Sequence, residues 1–568
     1  MRKNLSYAGE YATLITDPAG ATRRRKKRGK TMKFVVMSDI HYISRRMMLP
    51  GTPEHIRLQP EVSEQALRQA CAVEDADVLL LTGDLTDRGD LLSHEDLIAF
   101  LRELKKSGKR IYVTTATHDF CHHRAYTRKY ADTRANFAES PWDQPWFDAE
   151  DVVYKELVTE DCRDMTEEEC APDLVRPCTP EELWDMYREF GRDDAFSVCE
   201  SAFSYCVALD DDVWCLMLND NFRNEEAKHN VSVTYSPACW RWIRSLVKRA
   251  KEEGKTLFAC THHPLLPPVP AYKIGAGDRD MRRPEVGHML ADVGVRLVFT
   301  GHTHFADVGF LRSKRGSLLC DISTPSVRFY PPRFRVAELT RDDTVIDTRC
   351  VTVDLPEGVS LPDASLPDYY RRLMYEEYEG KVNRLPSPLN RIVAELRVKH
   401  LRALTGKASG MTAAEYDAIG EKRLFDLIMD LAFNMLAGDG AYTPDTPEYK
   451  FLMGLGAVCD SVIDAQPFYD VRRRKLKGYS VREIIEPMLC NKYVPDNDAV
   501  FDYTKAPVSR FPEAAFTSHA GDLVMAALCL AAIPLSQALP AAVCVGLPVL
   551  TVLKKRKLAN DPPRPERY

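Results

Sequence analysis

The stretch Lys33-Phe34-Val35-Val36-Met37-Ser38-Asp39-Ile40-His41 decides the fold. Phe34 to Met37 read as a buried β-strand, and Asp39 and His41 follow at once. Side chains alternate along a strand, so residues two apart point the same way and Asp39 and His41 can share one cation. Four more clusters repeat the plan: Gly83-Asp84-Leu85-Thr86-Asp87, Thr117-His118-Asp119, Thr261-His262-His263 and Gly301-His302-Thr303-His304. A single histidine pair arises readily by chance. Five clusters in order, each closing an apolar strand, point to one dinuclear metal site. Imidazole with carboxylate suits manganese, iron or zinc better than calcium.

Outward from that stretch, residues 33–120 alternate strands with amphipathic helices. Strands are expected at 33–38, 78–82 and 110–115, and helices near 60–73 and 93–107. This is an α/β pattern, whose sites form beyond the carboxyl ends of the strands. Residues 121–200 read as a cap-like insertion over the site. Paired strands at 204–209 and 213–218, a helix over 236–253 and strands at 256–260 and 295–300 resume the sheet. Strands run on to about 353, which bounds a core domain at 32–355.

Residues 356–365 read as a linker. Residues 366–510 form a helical accessory domain, with helices expected at 366–379, 387–404, 412–438, 447–464 and 480–489. Residues 523–553 carry no charge but are interrupted by Pro534, Pro540 and Pro548. The run is too long for one upright span. Lys554 to Lys557 would lie on the wrong side of a single crossing from the cytoplasm. A hairpin in the membrane and a hairpin buried against the helical domain both remain open. Residues 554–568 form a basic and polar tail.

Composition narrows the class. The 568 residues are 45% hydrophobic and 28% charged, with a net charge of −6. That is a globular protein without a field for nucleic acid. Its 16 cysteines show no paired spacing and read as reduced thiols of a cytoplasmic protein. Residues 1–31 form a basic tail around Arg23–Lys30, either solvated or attracted to anionic lipid or nucleic acid, and Met32 is an alternative start.

The order Asp-x-His, Gly-Asp-x-x-Asp, His-Asp, His-His-Pro and Gly-His-x-His resembles the calcineurin-like metallophosphoesterase superfamily over about 32–355. The resemblance implies a two-sheet α/β sandwich of metallophosphoesterase type, here extended by the helical C-terminal domain and the hydrophobic segment. It implies two divalent metal ions, the first among Asp39, His41, Asp84 and His304, the second among Asp84, His262 and His302. It places His118 at the phosphate or its leaving oxygen, with Asp87 or Asp119 holding it and Arg88 a candidate phosphate ligand. The third motif departs from the family, where asparagine usually precedes the histidine. Thr117 stands in its place and is a weaker ligand for the second metal. His122 and His123 are loop residues near enough to help, and His263 falls behind the ligands rather than among them.

The resulting expectation is hydrolysis of a phosphodiester or a phosphomonoester by a metal-bridging hydroxide, in the cytoplasm or at the cytoplasmic face of a membrane. One rival is hydrolysis of a lipid-linked phosphate or pyrophosphate, motivated by 523–553. Another is a catalytically weak metal-binding scaffold, motivated by Thr117.

Overall fold

A computed structural model describes residues 31–48, 53–87, 89–119, 178–220, 235–266, 284–313, 315–341, 344–383, 391, 394–440, 442–465, 479–490 and 495–506. Two sheets face each other. The first contains β1 (Thr31–Met37), β2 (Val78–Leu81), β3 (Arg110–Val113), β11 (Arg333–Thr340), β12 (Ile346–Thr352) and β13 (Ala499–Phe501), in the order β13-β12-β11-β1-β2-β3. The second contains β4 (Ser197–Cys199), β5 (Ser204–Ala208), β6 (Val213–Met217), β7 (Thr256–Cys260), β8 (Leu297–Thr300), β9 (Asp307–Arg312) and β10 (Leu318–Ser323), in the order β4-β5-β6-β7-β8-β10-β9.

The apolar run of β1 is continuous because both its faces are covered. Phe34 and Val36 enter the layer between the sheets, where Phe34 stacks on Phe258 at 5.1 Å and meets Phe299 edge-on at 5.5 Å. Val35 and Met37 point the other way, against α1 (Gln59–Cys71) and α2 (Leu91–Lys105). A third layer covers the second sheet. There α4 (Pro237–Glu252) and α5 (Pro284–Val293), which follow the short α3 (Pro180–Met186), contribute Trp240, Ile243, Leu246 and Leu290. Ser236 starts α4 by accepting a hydrogen bond from the Cys239 amide. The hairpin expected around Asp210 is present, with Tyr205 opposite Met217 and Asp210 Oδ1 accepting from the Asp212 and Val213 amides.

Three sequence expectations change. Of the insertion expected over 121–200, residues from 178 on are described, and these belong to the fold. Leu183, Tyr187 and Phe190 join the core beside α2, and β4 extends the second sheet. The helix expected over 412–438 is two helices, α8 (Ala413–Ile419) and α9 (Leu424–Ala437), because the chain turns at Gly420 and the Arg423–Asp426 pair starts a new cap. The helix expected over 387–404 is interrupted: residues 391, 394 and 395 are helical, Leu396 and the Arg397–Arg423 bridge break the run, and α7 (Val398–Ser409) follows.

The remaining helices are α6 (Leu366–Asn383), α10 (Pro447–Asp464) and α11 (Val481–Leu489). Leu366, Tyr369 and Tyr370 of α6 pack into the core of the first sheet. Helices α7 to α11 share their own core, with Leu401, Leu427, Phe451 and Leu489 buried. The chain then returns to the sandwich, where β13 pairs antiparallel with β12. The apolar run 523–553 lies outside the described residues. Among the described residues no helix is long and apolar enough to cross a membrane.

Candidate metal centre

The polar clusters follow β1, β2 and β3 of one sheet and β7 and β8 of the other, so both sheets deliver side chains to one end of the sandwich. The geometric reason differs from strand alternation. β1 ends at Met37, and Asp39 and His41 lie beyond it with left-handed backbones at φ 54° and 48°. Asp84 (49°), His302 (66°) and His304 (61°) adopt the same conformation. Such a backbone is uncommon outside glycine, and its clustering marks a site whose surroundings impose it. Two glycines make room. A Cβ on Gly301 would fall 1.7 Å from Ser38 Oγ, and one on Gly83 2.8 Å from His262 Nδ1.

Hydrogen bonds lock these turns together. The amides of Asp39 and His41 donate to the carbonyls of Gly83 (3.1 Å) and Asp84 (3.0 Å). Asp39 Oδ2 accepts from the His302 amide at 2.8 Å, which ties one sheet's cluster to the other's.

Besides the group of His41, Asp87 and His118, two donor triads result. In the first, His304 Nε2 lies 3.1 Å from Asp39 Oδ1 and 3.3 Å from His41 Nε2, and His41 Nε2 lies 3.8 Å from Asp39 Oδ1. In the second, Asp84, His262 and His302 converge, with His262 Nε2 3.1 Å from Asp84 Oδ2. Ligands held about 2.1 Å from one cation stand about 3 Å apart, so these spacings fit a metal. Asp39 Oδ1 and His262 Nε2 are buried and meet only members of their own triads, without a well-aligned hydrogen bond, which a cation would remedy. His262 Nδ1 donates to the Thr82 carbonyl at 2.9 Å, and this leaves Nε2 for a metal.

The charges follow from burial and proximity. Burial alone would raise the Asp39 and Asp84 carboxyls, but His304 beside Asp39, and His262 and His118 beside Asp84, hold both below the usual carboxylate range. Burial pushes His41 down to about 4 and His302 well down, so both stay neutral. Burial also works against the His262 cation, but Asp84 outweighs it and raises His262 to about 10. Without a metal, His262 and Asp84 are therefore an ion pair. A cation would take the place of that proton.

The other expected residues fall around the triads. His118 Nδ1 donates to the main-chain carbonyl of Asp87 at 2.6 Å, and the Asp87 carboxylate shares a donor group with the rings of His118 and His41. The rings of His118 and His41 meet edge to face at 4.7 Å. Asp119 does not touch His118 in any described hydrogen bond. Its carboxylate accepts from the amides of Thr86 (2.9 Å) and Ala116 (2.7 Å) and so shapes the turn. Burial, with Asp84 nearby, pushes Asp119 up to about 8. Thr117 Oγ1 stands 3.4 Å from Asp84 Oδ1, which also accepts the His118 amide at 2.9 Å. His263 sits behind the ligands. Its Nδ1 lies 2.9 Å from Asp220 Oδ1, and its ring lies 4.2 Å from that of His302. Arg88, His122 and His123 lie outside the described residues.

Sequence reasoning missed four residues. Asp220 is buried and also accepts from the Thr261 hydroxyl (2.5 Å) and the His263 amide (3.0 Å). Arg328 forms a buried ion pair with Asp87. Phe329 stacks on His304 at 4.8 Å, and Tyr330 packs on Phe433 of α9 at 5.1 Å. Asp220 lies two residues past the apolar run Val213–Leu218, so strand-end position was a usable signal. The segment 328–330 follows no motif and gave none.

Residues 32–306 match the family of calcineurin-like phosphoesterases. Among solved structures, the chain is similar to a purple acid phosphatase from yellow lupin (Lupinus luteus) seeds, at 12% identity and a TM-score of 0.32, over 59% of this chain and 53% of that one. It is also similar to a Staphylococcus aureus protein described as a 5′-nucleotidase, solved with α-ketoglutarate, at 11% identity and a TM-score of 0.32, over 67% of each chain. The chain thus spans about half the length of the lupin protein. No curated protein matches it.

Proposed function

We propose that this chain, whose residues 32–306 match the calcineurin-like phosphoesterase family, hydrolyses a phosphodiester, or failing that a phosphomonoester, at a two-metal centre. The observation that carries the reading is the pair of donor triads with His118 beside them. Asp39, His41 and His304 would hold one metal, and Asp84, His262 and His302 the other, with Asp84 shared between them and Thr117 in the weak position. Manganese, iron and zinc all suit these donors. Two such ions supply an activated water and a seat for the phosphate oxygens.

The chain's own residues supply the rest. The Nδ1–H of His118 is committed to the Asp87 carbonyl. Nε2 is then the ring nitrogen that can carry a proton to the leaving oxygen as its bond to phosphorus breaks. Asp220 supports the second triad by holding His263 against His302. The reaction would take place in the cytoplasm, consistent with eleven described cysteines that are all free thiols.

The test is nitrophenol release from bis(p-nitrophenyl) phosphate and from p-nitrophenyl phosphate. Protein stripped with chelator is reloaded with Mn²⁺, and wild type is run beside Asp84→Asn. Metal-dependent release that falls at least ~1000-fold in the variant is expected, since removing a ligand shared by both metals removes the charge that the reaction needs. Release without metal, or release unchanged in the variant, would overturn the reading. A detergent-dispersed lipid phosphate is the third substrate, and hydrolysis confined to it would move the function to the lipid-linked class suggested by 523–553.

A further inference from the structure

The loop Ser326–Pro332 lies outside the five motifs but touches the centre at several points. It begins at Ser326, which bridges Ser38 and donates its hydroxyl to the Asp39 carbonyl at 2.7 Å. Arg328 comes next. Its side chain is 5% exposed, and its guanidinium meets Asp87, which is 0% exposed. A guanidinium keeps its charge at every accessible pH, so in that setting it needs the carboxylate and the carboxylate needs it.

Asp87 is in turn a hub. Its amide donates to the Tyr42 carbonyl at 3.1 Å, its carbonyl accepts from His118 Nδ1, and its carboxylate lies 3.5 Å from His41 Nδ1. The far end of the loop is held by the helical region. Tyr330 packs on Phe433 of α9, and Arg371 of α6 lies over Phe433 at 4.1 Å while pairing with Asp430 at 2.8 Å.

We propose that Arg328 is a positioning residue: by holding the Asp87 side chain it fixes the Asp87 carbonyl that orients His118, and the helical region braces it through Tyr330. This rests on the phosphoesterase reading and assigns the helical region a part in it. Without Arg328, the described basic groups beside the Asp87 carboxylate include the rings of His41 and His118. A swing toward either ring would turn the Asp87 peptide and misplace His118. The consequence is specific, because a misplaced proton donor hurts esters with poor leaving groups more than those with good ones. It also differs from a direct phosphate contact, whose loss would raise KM.

The test compares wild type, Arg328→Lys and the double variant Arg328→Met with Asp87→Asn, all loaded with Mn²⁺. The double variant removes both buried charges together, so neither is stranded. Two diesters are used, bis(p-nitrophenyl) phosphate and diphenyl phosphate. In the double variant kcat on the diphenyl ester should fall about 10- to 100-fold, the usual effect of losing a group that orients a site residue. The loss on the nitrophenyl ester should be several-fold smaller, with KM and bound metal unchanged, and Arg328→Lys should recover part of it. Equal losses on both esters, a rise in KM alone, or metal lost in proportion to activity would each overturn the assignment. An active wild type with unaffected variants would overturn only this inference. A wild type inert on both esters would remove the phosphoesterase reading and this inference with it.

Discussion

At the metal centre the left-handed backbone is taken by Asp39, His41, Asp84, His302 and His304, whereas at the helix ends of 398–438 it is taken by Gly410 and Gly438. Glycine adopts that conformation without a steric cost, while a residue with a Cβ pays roughly 1–2 kcal/mol. The helical region meets the cost once, at Asp439 (φ 47°), where its amide and carboxylate bond with Asp496. Its helices open on reciprocal caps, Thr412 with Glu415 and Ser480 with Glu483, and close over Leu401, Leu427 and Phe451. The centre accepts the cost five times and leaves buried donors without well-aligned hydrogen bonds. One region is arranged for its own stability, and the other for something that binds to it.

The sharpest way to break this contrast is at His118. Alanine there should lower kcat by about 100-fold or more while metal content stays near that of wild type. Metal analysis beside kinetics checks it, and a matching loss of metal would make His118 a ligand rather than a proton donor. A gain is expected next, from Thr117→Asn, which adds a carbonyl oxygen near Asp84. The second equivalent of Mn²⁺ should bind several-fold more tightly in a calorimetric titration. An unchanged titration would mean that another group already fills the place.

On the other side of the contrast, Ser480→Ala removes one cap of α11. It should cost about 1 kcal/mol of stability and leave kcat unaltered. Activity lost in step with melting temperature would erase the division between the two regions. The smallest effect concerns pH. Burial, with Asp496 and Asp321 adding to it, pushes the Asp307 carboxyl well above its ordinary value. A carboxyl raised by folding contributes stability at low pH, and that contribution is lost as pH climbs from about 4 toward the folded value. Asp307→Asn does not titrate, so its melting temperature should gain on that of wild type between pH 4.5 and 8. Parallel curves for the two proteins would remove the shift.

The part of the site that was legible in the sequence is the part written as short local patterns. Asp39, His41, Asp84, His262, His302 and His304 each sit within four residues of a strand end, and apolar runs reveal strand ends. Their arrangement was misjudged only in its cause, because alternation along β1 looks the same on paper as a left-handed turn just past it. Asp87 shows another limit. Its position was readable, but whether it acts through its side chain or its carbonyl depends on where Arg328 lies, 241 residues away. Arg328 and Phe329 carry no pattern of their own and become visible only when β10 and β11 bring their loop beside His304. The division of 412–438 into two helices was hidden because Gly420 interrupts an apolar periodicity that continues on both sides of it.

The return of the chain to the first sheet has a practical side. β12 is covered by β13 through Ile346 opposite Phe501 and Thr348 opposite Ala499, and Arg335 reaches the Asp496 carbonyl from within the sheet. A protein ended near 355, where composition places the catalytic domain's limit, would leave that flank of β12 as a bare edge. Unpaired edges recruit strands from other molecules. Such a fragment is expected to self-associate even with every candidate metal ligand in place, and the shortest piece worth expressing runs to 506.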